Sequence, residues 1–87
     1  YEPVWAVGSG NSATPEMAQD MHHFCREVLS ELLTAEIAEQ LVIQYGGSVT
    51  PHNAAALLSQ PDVDGLLIGG ASLSLDSFSQ IVSDRLV

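Results

Sequence analysis

The side chains best suited to chemistry are few, and they lie beside glycine. Glu2 stands before a proline, where a short apolar strand would run out into a loop. A carboxylate held at the C-terminal end of a strand can take up and return a proton. As an ordinary loop residue it would be merely solvated, the commoner state of such groups. Three glycine-bearing turns accompany it, Gly8-Ser9-Gly10, Gly46-Gly47-Ser48 and Gly69-Gly70. Glycine lets the main chain come close to a ligand, and loop N–H groups bind anionic oxygens. A Gly-Gly pair is also the mark of a plain tight turn, but Gly69-Gly70 sits between an apolar run and a helix cap, which favours an anion such as phosphate. The other candidates read as structure. His22 and His23 are about 100° apart on a helix, unlike the same-face i, i+4 pair of a metal site, and read as solvated histidines. Cys25, the single cysteine, falls in an apolar stripe that disfavours its thiolate and reads as inert core. It can form no disulfide within the chain, and no Cys–His cluster has zinc spacing. The carboxylates Asp20, Glu27, Glu31, Glu36 and Glu39 read as solvated helix faces.

The elements that must position these groups follow from turn signals. Each of three blocks has a short apolar run, a glycine loop and a capped helix. In the first, Tyr1 to Val7 reads as a strand end, and Thr14-Pro15 provides an N-cap with proline at the first helical position. The helix behind it has one apolar stripe, Met17, Met21, Phe24, Cys25, Val28 and Leu32, with Asp20, Arg26, Glu27 and Glu31 opposite. A second short helix is capped by Thr34 and points Ile37 and Leu41 inward. In the second block the strand is Leu41 to Tyr45, and Thr50-Pro51 opens a helix through about Leu58. In the third the strand is Asp64 to Ile68, and the closing helix has the stripe Leu75, Phe78, Ile81, Val82 and Leu86. Near-continuous apolar strands alternating with helices predict an α/β fold with a parallel sheet and right-handed crossovers.

Composition narrows the class further. The 87 residues allow one domain and one core. An apolar fraction of 46% with 15% charged residues is that of a packing chain, not a disordered one. Eleven carboxylates against two cations give a net charge of −9, which argues against nucleic acid or an anionic membrane as partner. The longest apolar runs, such as Ala54 to Leu58, are about five residues, far short of the ~20 a spanning helix needs. No signal peptide is evident, and a reducing cytoplasm is the expected setting. Because Pro3 already ends ladder pairing, the beginning of the first strand is missing. Three parallel strands alone would leave open edges and an uncovered face. The chain therefore reads as the last part of a longer one.

The string Tyr1-Glu2-Pro3-Val4-Trp5-Ala6-Val7-Gly8-Ser9-Gly10, then Tyr45-Gly46-Gly47-Ser48-Val49, then Asp64-Gly65-Leu66-Leu67-Ile68-Gly69-Gly70-Ala71-Ser72-Leu73, closely resembles the C-terminal third of the triosephosphate isomerase family. The resemblance covers essentially the whole chain, with all three motifs in the family's order. It implies three βα units, the sixth to eighth, of a (β/α)8 barrel left incomplete in this chain, so that residues 1–87 are the C-terminal portion of one barrel domain whose first strand is truncated. It implies an isomerase of phosphorylated trioses that uses no cofactor and no metal. Glu2 matches the family's catalytic base. Pro3 to Ala13 resembles its lid, with Pro3-Val4-Trp5 as one hinge, Asn11-Ser12-Ala13 as the other, and Ala6, Val7, Gly8, Ser9 and Gly10 between them. Val7 and Leu67 match residues that cover the base and raise its basicity by desolvation. Gly8, Ser48, Gly69 and Gly70 match backbone contacts to the substrate phosphate, Tyr45 and Ser48 match the latch that holds the lid near Ala13 and Gly10, and Arg26 with Asp64 matches a structural ion pair.

Three positions depart from the pattern: Val7 stands where isoleucine is usual, Ser9 where threonine is common, and Asn11 where a basic residue is frequent. The last two would alter lid rates without altering the reaction. The family's electrophilic histidine, its substrate-binding lysine and asparagine, and its main dimer loop belong to the first half of the barrel. The 87 residues alone are therefore expected to be inactive, and the full-length chain to be a homodimer. Two other readings remain at this stage: another phosphate-binding barrel, such as a phosphosugar epimerase or a synthase, and a non-catalytic fragment that binds phosphate or complements the missing barrel segments.

Overall fold

Thr14-Pro15 opens the longest element. The Thr14 hydroxyl accepts the Met17 N–H at 3.1 Å, and Pro15 fills the first turn, where its missing N–H has no partner to lose. Helix α1 runs from there over Pro15–Leu32. Thr34 repeats the device on the Ile37 N–H, and helix α2 spans Ala35–Gln40. This computed structural model describes residues 1–6 and 11–86, the backbone alone for 84–86. Of the residues assigned above to the lid, Val7, Gly8, Ser9 and Gly10 lie outside the described ones.

Strand β1 (Gln44–Tyr45) pairs in parallel with β2 (Gly65–Leu66), Gln44 opposite Gly65 and Tyr45 opposite Leu66. The ladder continues at both ends, from the Asp64 N–H to the Ile43 carbonyl at 3.0 Å and from the Leu67 N–H to the Tyr45 carbonyl at 2.8 Å. On the other edge of β1, the Tyr1 nitrogen donates to the Gln44 carbonyl at 2.6 Å and the Tyr1 carbonyl accepts the Gly46 N–H at 2.7 Å. That staggered pair is the parallel pattern, so Tyr1 extends the hydrogen bonding of the sheet. The alternation of helix and parallel strand makes this an α/β chain.

The strands are shorter than the apolar runs that predict them. Leu41, read above as the start of a strand, caps α2 instead, its N–H donating to the Ile37 carbonyl. The second Thr-Pro also behaves unlike the first. The Thr50 carbonyl accepts from both Asn53 and Ala54, residues 51–53 form a turn, and helix α3 covers only Ala54–Leu58. Here the side chain of Asn53 accepts the Thr50 N–H at 2.8 Å, the backward bond of a capping box, and the chain passes through a turn before the regular helix begins. A 3-10 turn at Gly70–Leu73 then leads into helix α4, Leu75–Leu86.

The core gathers Ala13, Ala18, Tyr45, Val49, Ala54, Leu57, Val63 and Ile81. It is not built from the stripes that periodicity picks out. On α1 the stripe stands in the open, with Met17 50%, Phe24 57% and Leu32 73% exposed, while Ala18 and His22 are fully buried. On α2 the buried residue is Ala38, not Ile37 or Leu41. On α4 Ile81 is buried while Leu75, Phe78 and Val82 are exposed. The helices thus turn small residues such as Ala18 and Ala38 inward, whose size admits close packing, and leave the large apolar side chains exposed. No helix among the described residues is long and apolar enough to cross a membrane.

Candidate active site

The C-terminal ends of the sheet converge on one cavity of about 490 Å³, whose walls include Glu2, Ser48, Leu67, Gly69 and Gly70. Glu2 is placed by its neighbour, because Tyr1 is tied to β1 through both of its backbone groups. Its exposed side chain passes over Gly46, where a Cβ would stand 2.8 Å from Glu2 Cγ and 3.4 Å from Leu67 Cβ. That is closer than carbon atoms tolerate, so glycine at 46 leaves the carboxylate its position. Gly69 and Gly70 are different. A Cβ on either would meet nothing within 4 Å, so no neighbour among the described residues requires the absence of a side chain. The Gly69 carbonyl is committed to the Ser72 N–H at 2.9 Å and the Ser72 hydroxyl at 2.6 Å. The Ser48 carbonyl accepts from Asn53 Nδ2 at 2.9 Å. Both loops are thus pinned from behind, with open space before them.

The two described ends of the loop from Pro3 to Ala13 are both anchored. At one end Pro3 and Ala6 are buried, and the Ala6 N–H closes a turn onto the Pro3 carbonyl at 2.8 Å. Val4 and Trp5 face outward in that turn. At the other end the buried Tyr45 hydroxyl accepts the Ala13 N–H at 2.9 Å and lies 3.3 Å from Ser12 Oγ. Asn53 Nδ2 also reaches Ser12 Oγ at 3.3 Å. A Cβ at Gly47 would overlap the Tyr45 hydroxyl, so this glycine makes room for the contact. Asn53 escaped the sequence reading, and Gly47 entered it only as part of a glycine turn. The signal for Asn53 was its place three residues after Thr50, the spacing at which a side chain reaches back to the N–H of a capping threonine.

A second polar cluster occupies the opposite, N-terminal end of the sheet. Arg26, with a side chain 12% exposed, uses all five of its N–H groups. Nε donates to Asp62 Oδ1 at 2.9 Å, Nη1 to the carbonyls of Ala38 and Leu41 at 3.0 and 2.7 Å, and Nη2 to the Asp62 carbonyl at 3.1 Å and Asp64 Oδ2 at 2.6 Å. Asp64 Oδ2 accepts the Ile43 N–H as well, at 3.0 Å. Arg26 and Asp64 are therefore brought together, and Asp62, which sequence reasoning missed, joins them. Gln19 pairs reciprocally with Asp62, accepting its N–H at 2.8 Å and donating to its carboxylate. Burial opposes charge on both aspartates, yet hydrogen bonds outweigh it: chiefly Gln19 and then Arg26 at Asp62, and the Ile43 N–H and then Arg26 at Asp64, so both carboxyls sit below their usual range. Burial likewise disfavours the Arg26 charge, but Asp64 and Asp62 together hold it above its ordinary value.

His22 corrects the sequence reading. It is not solvated but fully buried, with Nδ1 2.9 Å from the Asp62 carbonyl. His23 is exposed as expected, within 2.9 Å of Glu27 and 3.5 Å of Asp62. The spacing Gln19, His22, His23 and Arg26 was the missed signal. These residues lie three, four and seven positions along one helix face, and all reach Asp62. Cys25 is half-buried. Among the described residues no group of histidine, cysteine, aspartate or glutamate could hold a metal ion.

The class that fold and cavity define is an α/β chain whose strand ends present a carboxylate and paired glycines to one cavity. Comparison with known proteins identifies the family. The model described as triosephosphate isomerase matches residues 1–85. A triosephosphate isomerase of Protochlamydia amoebophila is 64% identical over 84 residues, 97% of this chain and 32% of that protein. One from Fusobacterium nucleatum is 57% identical over 82 residues, 94% and 33% of the two chains, and one from Escherichia coli O1:K1 is 58% identical over 82 residues, 94% and 32%. The chain belongs to the triosephosphate isomerase family. It spans about a third of the length of the curated relatives it matches. These matches do not favour an epimerase or a synthase.

Proposed function

We propose that this chain is the C-terminal third of a triosephosphate isomerase, the sixth to eighth βα units of an eightfold barrel, and that the full-length protein interconverts D-glyceraldehyde 3-phosphate and dihydroxyacetone phosphate in glycolysis and gluconeogenesis. The observation that carries the reading is the shared cavity of Glu2, Ser48, Leu67, Gly69 and Gly70. Glu2 takes a proton from the carbon beside the substrate carbonyl, leaving an enediolate, and returns it to the neighbouring carbon. No bond to phosphate breaks and no cofactor is consumed. Leu67, with Val7 from the lid, covers the carboxylate, and exclusion of water raises its basicity.

The chain has no lysine to meet a phosphate dianion. Backbone N–H groups at Gly8, Ser48, Gly69 and Gly70 do so instead, acting at ~3 Å, while the distant carboxylates behind the net charge of −9 are screened by salt. The lid from Pro3 to Ala13 closes over the substrate, and Tyr45 and Ser48 latch it. Electrophiles that polarise the carbonyl come from the remaining two thirds of the barrel, whose packing also covers the exposed Met17, Phe24 and Leu32. The full-length protein acts as a cytoplasmic homodimer, and residues 1–87 alone are silent. The test is isomerase assay of the full-length protein, of its Glu2→Gln variant and of the 87-mer purified free of host isomerase. Activity in the first only supports the assignment. An unimpaired Glu2→Gln enzyme removes the base, and turnover by the 87-mer removes the need for the rest of the barrel.

A further inference from the structure

His22 is the most deeply buried titratable side chain that the proposed reaction leaves unused. Its ring packs edge-on against Tyr1, with centroids 5.8 Å apart, and tilted against Tyr45 at 6.4 Å. Nδ1 lies 2.9 Å from the Asp62 carbonyl, which can only accept, so Nδ1 bears the hydrogen. Nε2 is fully buried and has no partner among the described residues. The neutral ring thus satisfies its one donor and encloses its lone pair in an aromatic cage. A proton added at Nε2 would create a buried donor and a buried charge with nothing to receive either.

Tyr45 links this cage to the loop. One side of its ring meets His22, and its hydroxyl receives the Ala13 N–H at 2.9 Å. We propose that His22 is an acid-releasable brace, which in its neutral form props Tyr45 beneath the Ala13 amide and on protonation gives up that contact. The groups around it are mixed. From its own helix come Arg26 and, beside Tyr1, Cys25. From the segment before β2 come Asp62 and Asp64, from β1 the Tyr45 phenol, and from the edge beside β1 the phenol of Tyr1. Burial pushes the imidazole below its ordinary value. The Asp62 carbonyl works in the opposite sense, as does Asp64, while Arg26 works with burial.

The sign follows. Because the folded protein binds this proton more weakly than the unfolded chain, the brace is complete above about pH 6.5 and weakens as pH falls below that value. The equilibrium constant for opening rises by at most about tenfold per pH unit. Asp62 and Asp64 are held ionised to below their usual range, so their own losses come at lower pH and leave this window clear.

The test uses the full-length protein and does not depend on its activity. Imidazole 15N resonances report the tautomer and titration of His22 directly, and amide exchange at Ala13, corrected for intrinsic rates, reports opening of the Tyr45 contact. The expected result is an Nδ1–H tautomer that titrates below 6.5, with Ala13 protection falling severalfold between pH 6.5 and 5. In His22→Asn, which keeps a donor for the Asp62 carbonyl and cannot titrate in this range, that fall is absent. An Nε2–H tautomer, a titration at or above 6.5, or an equal fall in wild type and variant would overturn the proposal. Should His22→Asn fail to fold, the wild-type resonances and exchange profile decide alone.

Discussion

The two ends of the sheet solve opposite problems. At the N-terminal end, Arg26 spends every donor on Asp62, Asp64, Ala38 and Leu41, binding α1, α2 and the segments that lead into β1 and β2 into one knot. At the C-terminal end, Glu2, Gly46, Ser48, Gly69 and Gly70 surround an open cavity with backbone and a single carboxylate. One end satisfies its polar groups internally and the other holds them in reserve. The difference teaches that charge alone does not locate a site: the densest cluster of ionisable groups here is the one whose donors and acceptors are already committed to one another.

The contrast breaks most sharply at Glu2. In the full-length enzyme Glu2→Gln should lower kcat by about 10²–10⁴-fold, the usual worth of a positioned general base, while stability moves by less than about 0.5 kcal/mol because the side chain is exposed. Steady-state kinetics and thermal unfolding on one sample check both. Arg26→Met should do the reverse. Removing one member of a mostly buried ionic cluster costs about 3 kcal/mol, with kcat per folded molecule little changed. Its acid limb should shift too. Asp62 and Asp64 hold their protons more weakly folded than unfolded, so the wild type keeps their contribution above about pH 4 and loses it as pH falls through the lower folded values. Without Arg26 the loss begins nearer the ordinary carboxylate range. Denaturant titrations from pH 7 to 3 would expose an unshifted limb, which would mean the guanidinium is not what holds those carboxyls down.

The legible part of this molecule was whatever local chemistry dictates. Thr14-Pro15 and Thr34 cap their helices as read, and the parallel α/β alternation is plain in the spacing of apolar runs and glycine turns. Motif order alone assembled Glu2, Ser48, Leu67, Gly69 and Gly70, which share a cavity. The illegible part was the choice of buried face. Periodicity ranks the Met17 to Leu32 stripe above the face of Ala18, His22 and Arg26, because a hydropathy scale counts alanine weakly and histidine and arginine against burial. Yet α1 packs that second face inward, since Asp62 supplies partners for Gln19, His22 and Arg26 at once. Such a partner lies some forty residues away in sequence and leaves no mark on the helix itself. Thr50-Pro51 leads through a turn at residues 51–53 into the regular helix at Ala54, with the Asn53 carboxamide taking the Thr50 N–H as a capping side chain does.

Smaller substitutions sharpen the comparison by treating glycines at the same end of the sheet as different objects. Gly47→Ala places a methyl where the Tyr45 hydroxyl stands, so the hydroxyl must leave the Ala13 N–H. The lost buried hydrogen bond and the repacking together cost about 2 kcal/mol, read as a lower Tm with faster exchange at Ala13. Gly70→Ala meets no atom within 4 Å, and its stability should stay within about 0.5 kcal/mol of wild type. Its methyl instead projects into space the phosphate would occupy. The expected signature is a KM for the triose phosphate raised about tenfold, equivalent to ~1.4 kcal/mol of lost binding, with an unchanged melting curve. Inorganic phosphate, as a competitive inhibitor, should weaken in parallel, because it needs the same N–H groups and none of the carbon skeleton. A variant that loses stability but keeps its phosphate affinity would turn Gly70 into a packing residue and move the anion site elsewhere on the cavity wall.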